Sequence, residues 1–263
     1  MTQVKNITPP ANTLTILADN TLQQAKLSEA AIVISFNGIS HVVMMASPAH
    51  LKDFALGFAL SEGLIGSVKE VLDTVVHSHD YGWQVDIQIL ASSQNRLKQR
   101  RRKMTGPSGC GLCGIDSLEA AMELSYSSNI ELSKNKVLPC EATIVKAKDA
   151  LPIIVKKAGG TRGNHVAAYF DLSGNVMASR EDVGRHSALD KLLGCLAKGT
   201  QPITEGFVLL TSRCSHDLIA KVARLNLFTL VTLAQPTDLA VNSARKAGIA
   251  LFCFQYGQLK RFA

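Results

Sequence analysis

The sequence predicts an α/β protein in two parts. A layered α/β domain covers residues 127–263, and a smaller β-rich α+β part covers residues 1–126. Three observations carry that expectation. From Ser187 onward helix-like and strand-like segments alternate, the rhythm of parallel strands joined by right-handed helical crossovers. Before that, apolar runs meet at turn signals of the hairpin kind. Finally, 263 residues that are 46% apolar can bury one large core or two smaller ones.

Taken in order, residues 1–30 read as peripheral, with a leading strand or arm. Ala31–Phe36 and Ile39–Ala46 form a first hairpin at Asn37-Gly38, the strongest short hairpin signal. Pro48 opens a helix over His50–Glu62 that places Leu51, Phe54, Ala55, Phe58 and Ala59 on one face and stops at Gly63. Val71–His77 and Gln84–Leu90 are strands around Asp80-Tyr81-Gly82; Val85, Ile87 and Ile89 alternate with polar neighbours, as in a half-solvated strand. Gln94–Gly114 is charged, then glycine-rich, without periodicity, and long for a connection. Asp116 or Ser117 caps a helix through Leu118, Ala121, Met122 and Leu124. The polar stretch Ser127–Val137 marks the boundary between the parts. A helix over Val145–Lys157 follows, then a second hairpin, His165–Asp171 with Val176–Ser179. The closing alternation is helix Ser187–Leu196, strand Gly206–Leu210, helix Ser215–Leu225, strand Phe228–Leu233, helix Thr237–Ala247 and strand Ala250–Phe254.

The formal charge of +7 implies an anionic partner: a phosphorylated small molecule, an acidic protein surface or nucleic acid. Aromatic residues make up 5% and do not interleave with the basic run Arg100-Arg101-Arg102-Lys103, so nucleic acid ranks last. No run of 18 apolar residues argues for a membrane span, and Met1–Asn12 lacks the layout of a secretory signal. The cytoplasm is the expected compartment. Six cysteines at irregular spacings suit reduced thiols, with Cys195 and Cys253 in the core.

The most informative segment is Gly106–Gly114, where Cys110 and Cys113 stand among glycines just after the basic run. Glycine leaves the thiols open to another molecule, and nearby cations favour the thiolate. Four roles compete. Zinc needs about four ligands, with no second Cys-x-x-Cys present and only His77 and His79 as a close histidine pair. A thioredoxin-like exchange, or a structural pair, are two more. The fourth is sulfur handling: a thiolate attacks the terminal sulfur of a donor persulfide and becomes a persulfide itself. Cys110 or Cys113 would carry the sulfur and the other would assist or resolve.

Two further groups suit an anionic ligand. In Glu181-Asp182-Val183-Gly184-Arg185-His186, Gly184 allows close backbone approach and Arg185 clamps an anion; ordinary helix capping by Asp182 is the competing reading. His165 closes the loop Gly159–Asn164. Strand-end loops at Thr211–Ser215, Ala234–Thr237 and Gln255–Gln258 lie where open α/β sheets bind ligands, and helix starts at Ser215 and Thr237 offer N–H groups to phosphates.

Several segments together resemble the formate dehydrogenase accessory protein family (FdhD). They are Phe36-Asn37-Gly38, Phe54–Phe58 with Ser61-Glu62-Gly63, Gly109–Gly114, Glu181–His186 with Ala188–Lys191, Ser212-Arg213, and Pro236-Thr237 with Leu239–Val241, running in family order from about residue 31 to residue 257. The resemblance implies a cytidine-deaminase-like domain without deaminase activity, matching the missing His-x-Glu segment. It implies a cytoplasmic, homodimeric sulfurtransferase that takes sulfur from a cysteine desulfurase as a persulfide on Cys110, with Cys113 as partner thiol. The sulfur goes to the bis-molybdopterin guanine dinucleotide form of the molybdenum cofactor, bound as substrate, before insertion into formate dehydrogenase. Guanine nucleotide should mimic that cofactor. The implied cofactor contacts are Phe254, Gln255, Tyr256, Gly257, Gln258 and Leu259, with His165, Arg185, His186, Ser212 and Arg213; no resident metal is implied. The rival is a non-catalytic cofactor escort with a structural or metal-binding cysteine pair. The chain departs from the family where Tyr256 and Leu259 replace basic residues, with Lys260 and Arg261 displaced, and where Asn164 precedes His165.

Overall fold

The computed structural model describes residues 27–94, 96–97, 137–157, 163–199 and 205–263. Two mixed sheets and five helices make up the described residues. The first sheet contains β1 (Ala30–Phe36), β2 (Ile39–Ala46), β3 (Val71–His79) and β4 (Gly82–Ile89) in the order β2-β1-β4-β3, with α1 (Leu51–Ser61) between β2 and β3. The expected β1–β2 hairpin forms and the two expected strands β3 and β4 pair antiparallel, but β1 also pairs in parallel with β4, a long-range contact that no local signal announces.

The second sheet has the order β10-β9-β8-β7-β5-β6. Its strands are β5 (His165–Phe170), β6 (Val176–Asp182), β7 (Phe207–Leu210), β8 (Thr229–Thr232), β9 (Ala250–Gln255) and β10 (Gln258–Arg261). Strands β7, β8 and β9 are parallel, as the alternation predicts. They are joined through α4 (His216–Arg224) and α5 (Asp238–Ala247). The hairpins β5–β6 and β9–β10 make the sheet mixed. Helix α2 (Glu141–Lys157) precedes β5, and α3 (Arg185–Ala197) links β6 to β7.

Packing arranges these elements in layers. Ile144, Ala147 and Leu151 of α2 cover one face of the second sheet, against Phe170, Phe207 and Leu209. Helices α3, α4 and α5 cover the other face through Leu189, Leu192, Ile219 and Ala244. Helix α1 roofs its own sheet, with Phe54 and Phe58 in one core cluster with Ile34 of β1, and its opposite side lies on α3. The α1–α3 crossing has no room for side chains: a Cβ on Gly57 would sit 1.7 Å from the Asp190 carbonyl oxygen, and one on Gly194 1.9 Å from that of Asp53.

Several boundaries differ from expectation. The α2 helix begins at Glu141, four residues early, because Cys140 rather than a conventional cap starts it, its carbonyl accepting from the Ile144 N–H. Strand β6 runs on through Asp182, so Glu181 and Asp182 lie on a strand rather than in a loop. Arg185 and His186 are already inside α3, whose N-cap is Gly184. The last expected loop is mostly strand: Phe254 and Gln255 end β9, Gln258 and Leu259 begin β10, and only Tyr256-Gly257 turns. Cys253 is buried as expected, whereas Cys195 is only part-buried. The expected helix after Asp116 lies outside the described residues.

Candidate functional site: a cationic sheet end

The carboxyl ends of β6, β7, β8 and β9 share one end of the second sheet with the start of β5. Register places His165 opposite Asp182 and Ala167 opposite Leu210. Thr211 then locks to β5 twice, its N–H donating to the Val166 carbonyl and its hydroxyl accepting from the Val166 N–H at 2.9 Å. The Thr237 N–H donates to the Cys214 carbonyl, tying the start of α5 to the loop after β7.

Three helices begin here, at the N-caps Gly184, Ser215 and Thr237. Helix N-termini favour anions because their first N–H groups lack partners within the helix and the dipole adds partial positive charge. The Thr237 hydroxyl satisfies one such group, accepting from the Ala240 N–H at 3.1 Å. Arg213 is exposed beyond Ser212, whose hydroxyl is turned onto the Arg213 carbonyl. The structure therefore brings His165, Arg185, His186, Ser212, Arg213, Tyr256 and Gly257 to one sheet end. Phe254 and Leu259 instead pack against the core beneath α2, and Lys148 of α2 lies over the Phe254 ring.

A part-buried carboxylate, Asp217, pairs with one of these histidines. His186 Nε2 pairs with Asp217 of α4. Burial alone would raise Asp217, but the His186 hydrogen bond and charge, with Ser215, bring it down to about 2. Burial and the Arg185 charge lower His165, against the opposing pull of Asp182. Cys214, directly behind, is pushed up by burial and by Asp217, so its thiol stays protonated in the core. Two buried atoms, Arg185 Nε and Asn164 Oδ1, find no hydrogen-bond partner among the described residues. An unpaired guanidinium donor costs free energy unless a ligand completes it.

The turn that presents Arg185 and His186 is anchored from behind. Asp182, fully buried, accepts from the Ser47 N–H at 3.0 Å, from the Gly184 N–H at 2.8 Å and from Lys191 Nζ at 2.5 Å. Lys191 Nζ also donates to the Ser47 carbonyl at 2.8 Å. The carboxylate thereby bolts the β6–α3 turn to the β2–α1 turn of the first layer. A second buried cluster joins Lys221 of α4 to Asp190 of α3 and to Glu62 and Ser61 at the end of α1. Burial opposes the Lys221 charge, and the two carboxylates more than offset it, holding its pKa above the ordinary lysine range.

Asp217 and Lys221 escaped the sequence reading, and Lys191 entered it only within a family-matching segment, without a role. The available signal was polar residues at apolar helical positions, such as Asp190-Lys191 within α3, which mark buried pairs. Cys140 was also missed: it is exposed, and the Thr143 hydroxyl and the first N–H groups of α2 hold its thiol below the usual range. Cys110 and Cys113, the Arg100–Lys103 run and the Gly159–Arg162 loop lie outside the described residues. Among the described residues no three His, Cys, Asp or Glu side chains group as a metal site, and no helix is long and apolar enough to cross a membrane.

Comparison with known proteins finds relatives of this chain and of its fold. Residues 27–261 match the sequence profile described as the FdhD/NarQ family. A relative from Cupriavidus necator named sulfur carrier protein FdhD is 40% identical over 226 residues, covering 86% of this chain and 77% of the relative. One from Chromobacterium violaceum with the same name is 42% identical, covering 87% and 85%. Among solved structures, a protein from Desulfotalea psychrophila proposed to be a formate dehydrogenase accessory protein superposes with a TM-score of 0.66. It is 19% identical and covers 89% of this chain and 86% of its own, a likeness of fold.

Proposed function

The chain belongs to the FdhD/NarQ family, and from that premise we propose that it is a sulfur carrier serving formate dehydrogenase. The observation that carries the reading is the family match over nearly the whole chain, with relatives named for sulfur carriage at 38–42% identity. In this reading the second-sheet region is the cytidine-deaminase-like domain, the parts divide at residues 126 and 127, and the protein works as a cytoplasmic homodimer.

Cys110 is the sulfur-bearing thiolate. It attacks the terminal sulfur of a persulfide on a cysteine desulfurase; the donor's S–S bond breaks, the donor thiolate leaves, and Cys110 becomes the persulfide. Cys113 is the partner thiol. The cationic sheet end holds the acceptor, the bis-molybdopterin guanine dinucleotide form of the molybdenum cofactor, as bound substrate. The residues suit such a group: Arg185 and Arg213 supply charge, three helix starts supply N–H groups, and Arg185 Nε is a buried donor without a partner among the described residues. His186, held by Asp217, stands at the same end.

The test is intact mass after incubation with a cysteine desulfurase and cysteine. A reducible gain of one sulfur, about 32 Da, that vanishes in Cys110→Ala is the expected result. No gain in any form of the protein overturns the carrier reading and leaves the escort, whose cysteine pair would then be assayed for zinc.

A further inference from the structure

His77 and His79, the close histidine pair of the sequence, lie on the first sheet and take no part in the cationic end of the second. They close β3, the outer strand of its sheet. Pairing with β4 is regular here, His77 opposite Gln84 and His79 opposite Gly82. Side chains two apart on a regular strand share a face. Their neighbour Val76 packs against the core beneath α1, so the two histidines face the opposite way. Both rings are exposed.

Nothing across the strand engages them. Gln84 turns its amide onto the Ser35 hydroxyl at 3.1 Å, toward β1 and away from β3, and Gly82 has no side chain to offer. Among the described residues neither imidazole has a hydrogen-bond or ion-pair partner. Charged residues on an edge strand discourage pairing with another sheet, a task that lysine performs well. Two imidazoles on one face add a capacity that lysine lacks, because each neutral ring offers a nitrogen lone pair to a metal.

The spacing suits one ion. Residues two apart on an antiparallel strand are separated by about 6.8 Å. Two nitrogens bound at about 2.1 Å to adjacent corners of a square plane lie about 3 Å apart. Rings leaning together close that difference without moving the backbone. We propose that His77 and His79 chelate one divalent late transition metal ion, nickel or copper rather than magnesium or calcium, with water completing its coordination. Imidazole suits those ions, and magnesium and calcium prefer oxygen. Zinc is served less well, since its sites take three or four protein ligands. The strand fixes both ligands, so the second bond forms at high effective concentration.

Calorimetric titration of the full, untagged chain with nickel chloride, after its thiols are blocked with iodoacetamide, tests this for wild type, His77→Gln and His79→Gln. Wild type should bind about one equivalent, and each variant about a hundredfold more weakly, because a single imidazole loses the chelate. Magnesium chloride should show no binding at the same concentrations. Both side chains are exposed, so urea midpoints without metal should be equal in the three forms. Absence of nickel binding in wild type, affinity within about threefold of wild type in either variant, or nickel binding no tighter than magnesium overturns the inference.

Discussion

Replacing Gly57 by alanine tests whether the α1–α3 crossing holds the two layers together. In an isolated helix the change would stabilise by about 1 kcal/mol, because alanine is the better helix former. Here the new Cβ would lie 1.7 Å from the Asp190 carbonyl oxygen and 2.7 Å from the Gly194 nitrogen, both backbone atoms. Ordinary contact begins near 3.4 Å, so the helices must separate by well over an ångström. That separation pulls on Ser61 Oγ–Asp190 at 2.6 Å, which spans the α1–α3 interface, and on the 2.9 Å contacts from Lys221 Nζ to Ser61 and Glu62, which tie the end of α1 to α4. Overpacking in a compliant core costs about 1–3 kcal/mol. With backbone as the obstacle and a buried charge cluster stretched, the expected net loss is about 3 kcal/mol or more. At a urea slope of about 3 kcal/mol per molar, that is a midpoint about 1 M lower. Gly194→Ala, facing the Asp53 carbonyl oxygen at 1.9 Å, should behave alike. A Gly57→Ala midpoint at or above wild type would refute the close crossing and the role given to it.

Two further predictions concern the buried charges. Lys221→Met leaves the Asp190 carboxylate buried without its cation and should cost about 3–5 kcal/mol, partly recovered by adding Asp190→Asn; a loss under about 1 kcal/mol in urea unfolding would contradict the buried-cluster account. The Asp217 pKa is depressed from 3.8 to about 2, so its stabilisation is fully present above about pH 4 and is lost as pH falls through about 2. Wild type should therefore exceed Asp217→Asn by about 2 kcal/mol near neutrality, with the difference shrinking between about pH 4 and pH 2. A pH-independent difference in urea midpoints would count against that pairing.

Local chemistry explains what was legible. Asn37-Gly38 announces its hairpin because few residues accept positive φ twice, and Asp171–Asn175 closes β5–β6 through the side chain of Asp171, which accepts from the Ser173 and Asn175 N–H groups. The helix–strand alternation after Ser187 carries its own periodicity, and it appears as β7, β8 and β9 with their crossovers. Element ends were less legible, because they depend on partners distant in sequence. Glu181 and Asp182 are strand because β5 pairs with them, and Gln258 to Arg261 are strand because β9 does.

The sequence by itself determined strands β1 to β9, the five helices, the β1–β2 and β5–β6 hairpins, the parallel run and the residues that resemble a sulfur carrier, since each rests on short-range pattern or on motif order. Only the tertiary structure decided that Asp217 would govern His186, that Asp182 and Lys191 would bolt the site's turn to Ser47, and that two glycines would let α1 lie against α3. Those outcomes depend on which buried charges meet across 31 to 144 residues of chain, and on backbone separations that no local propensity encodes.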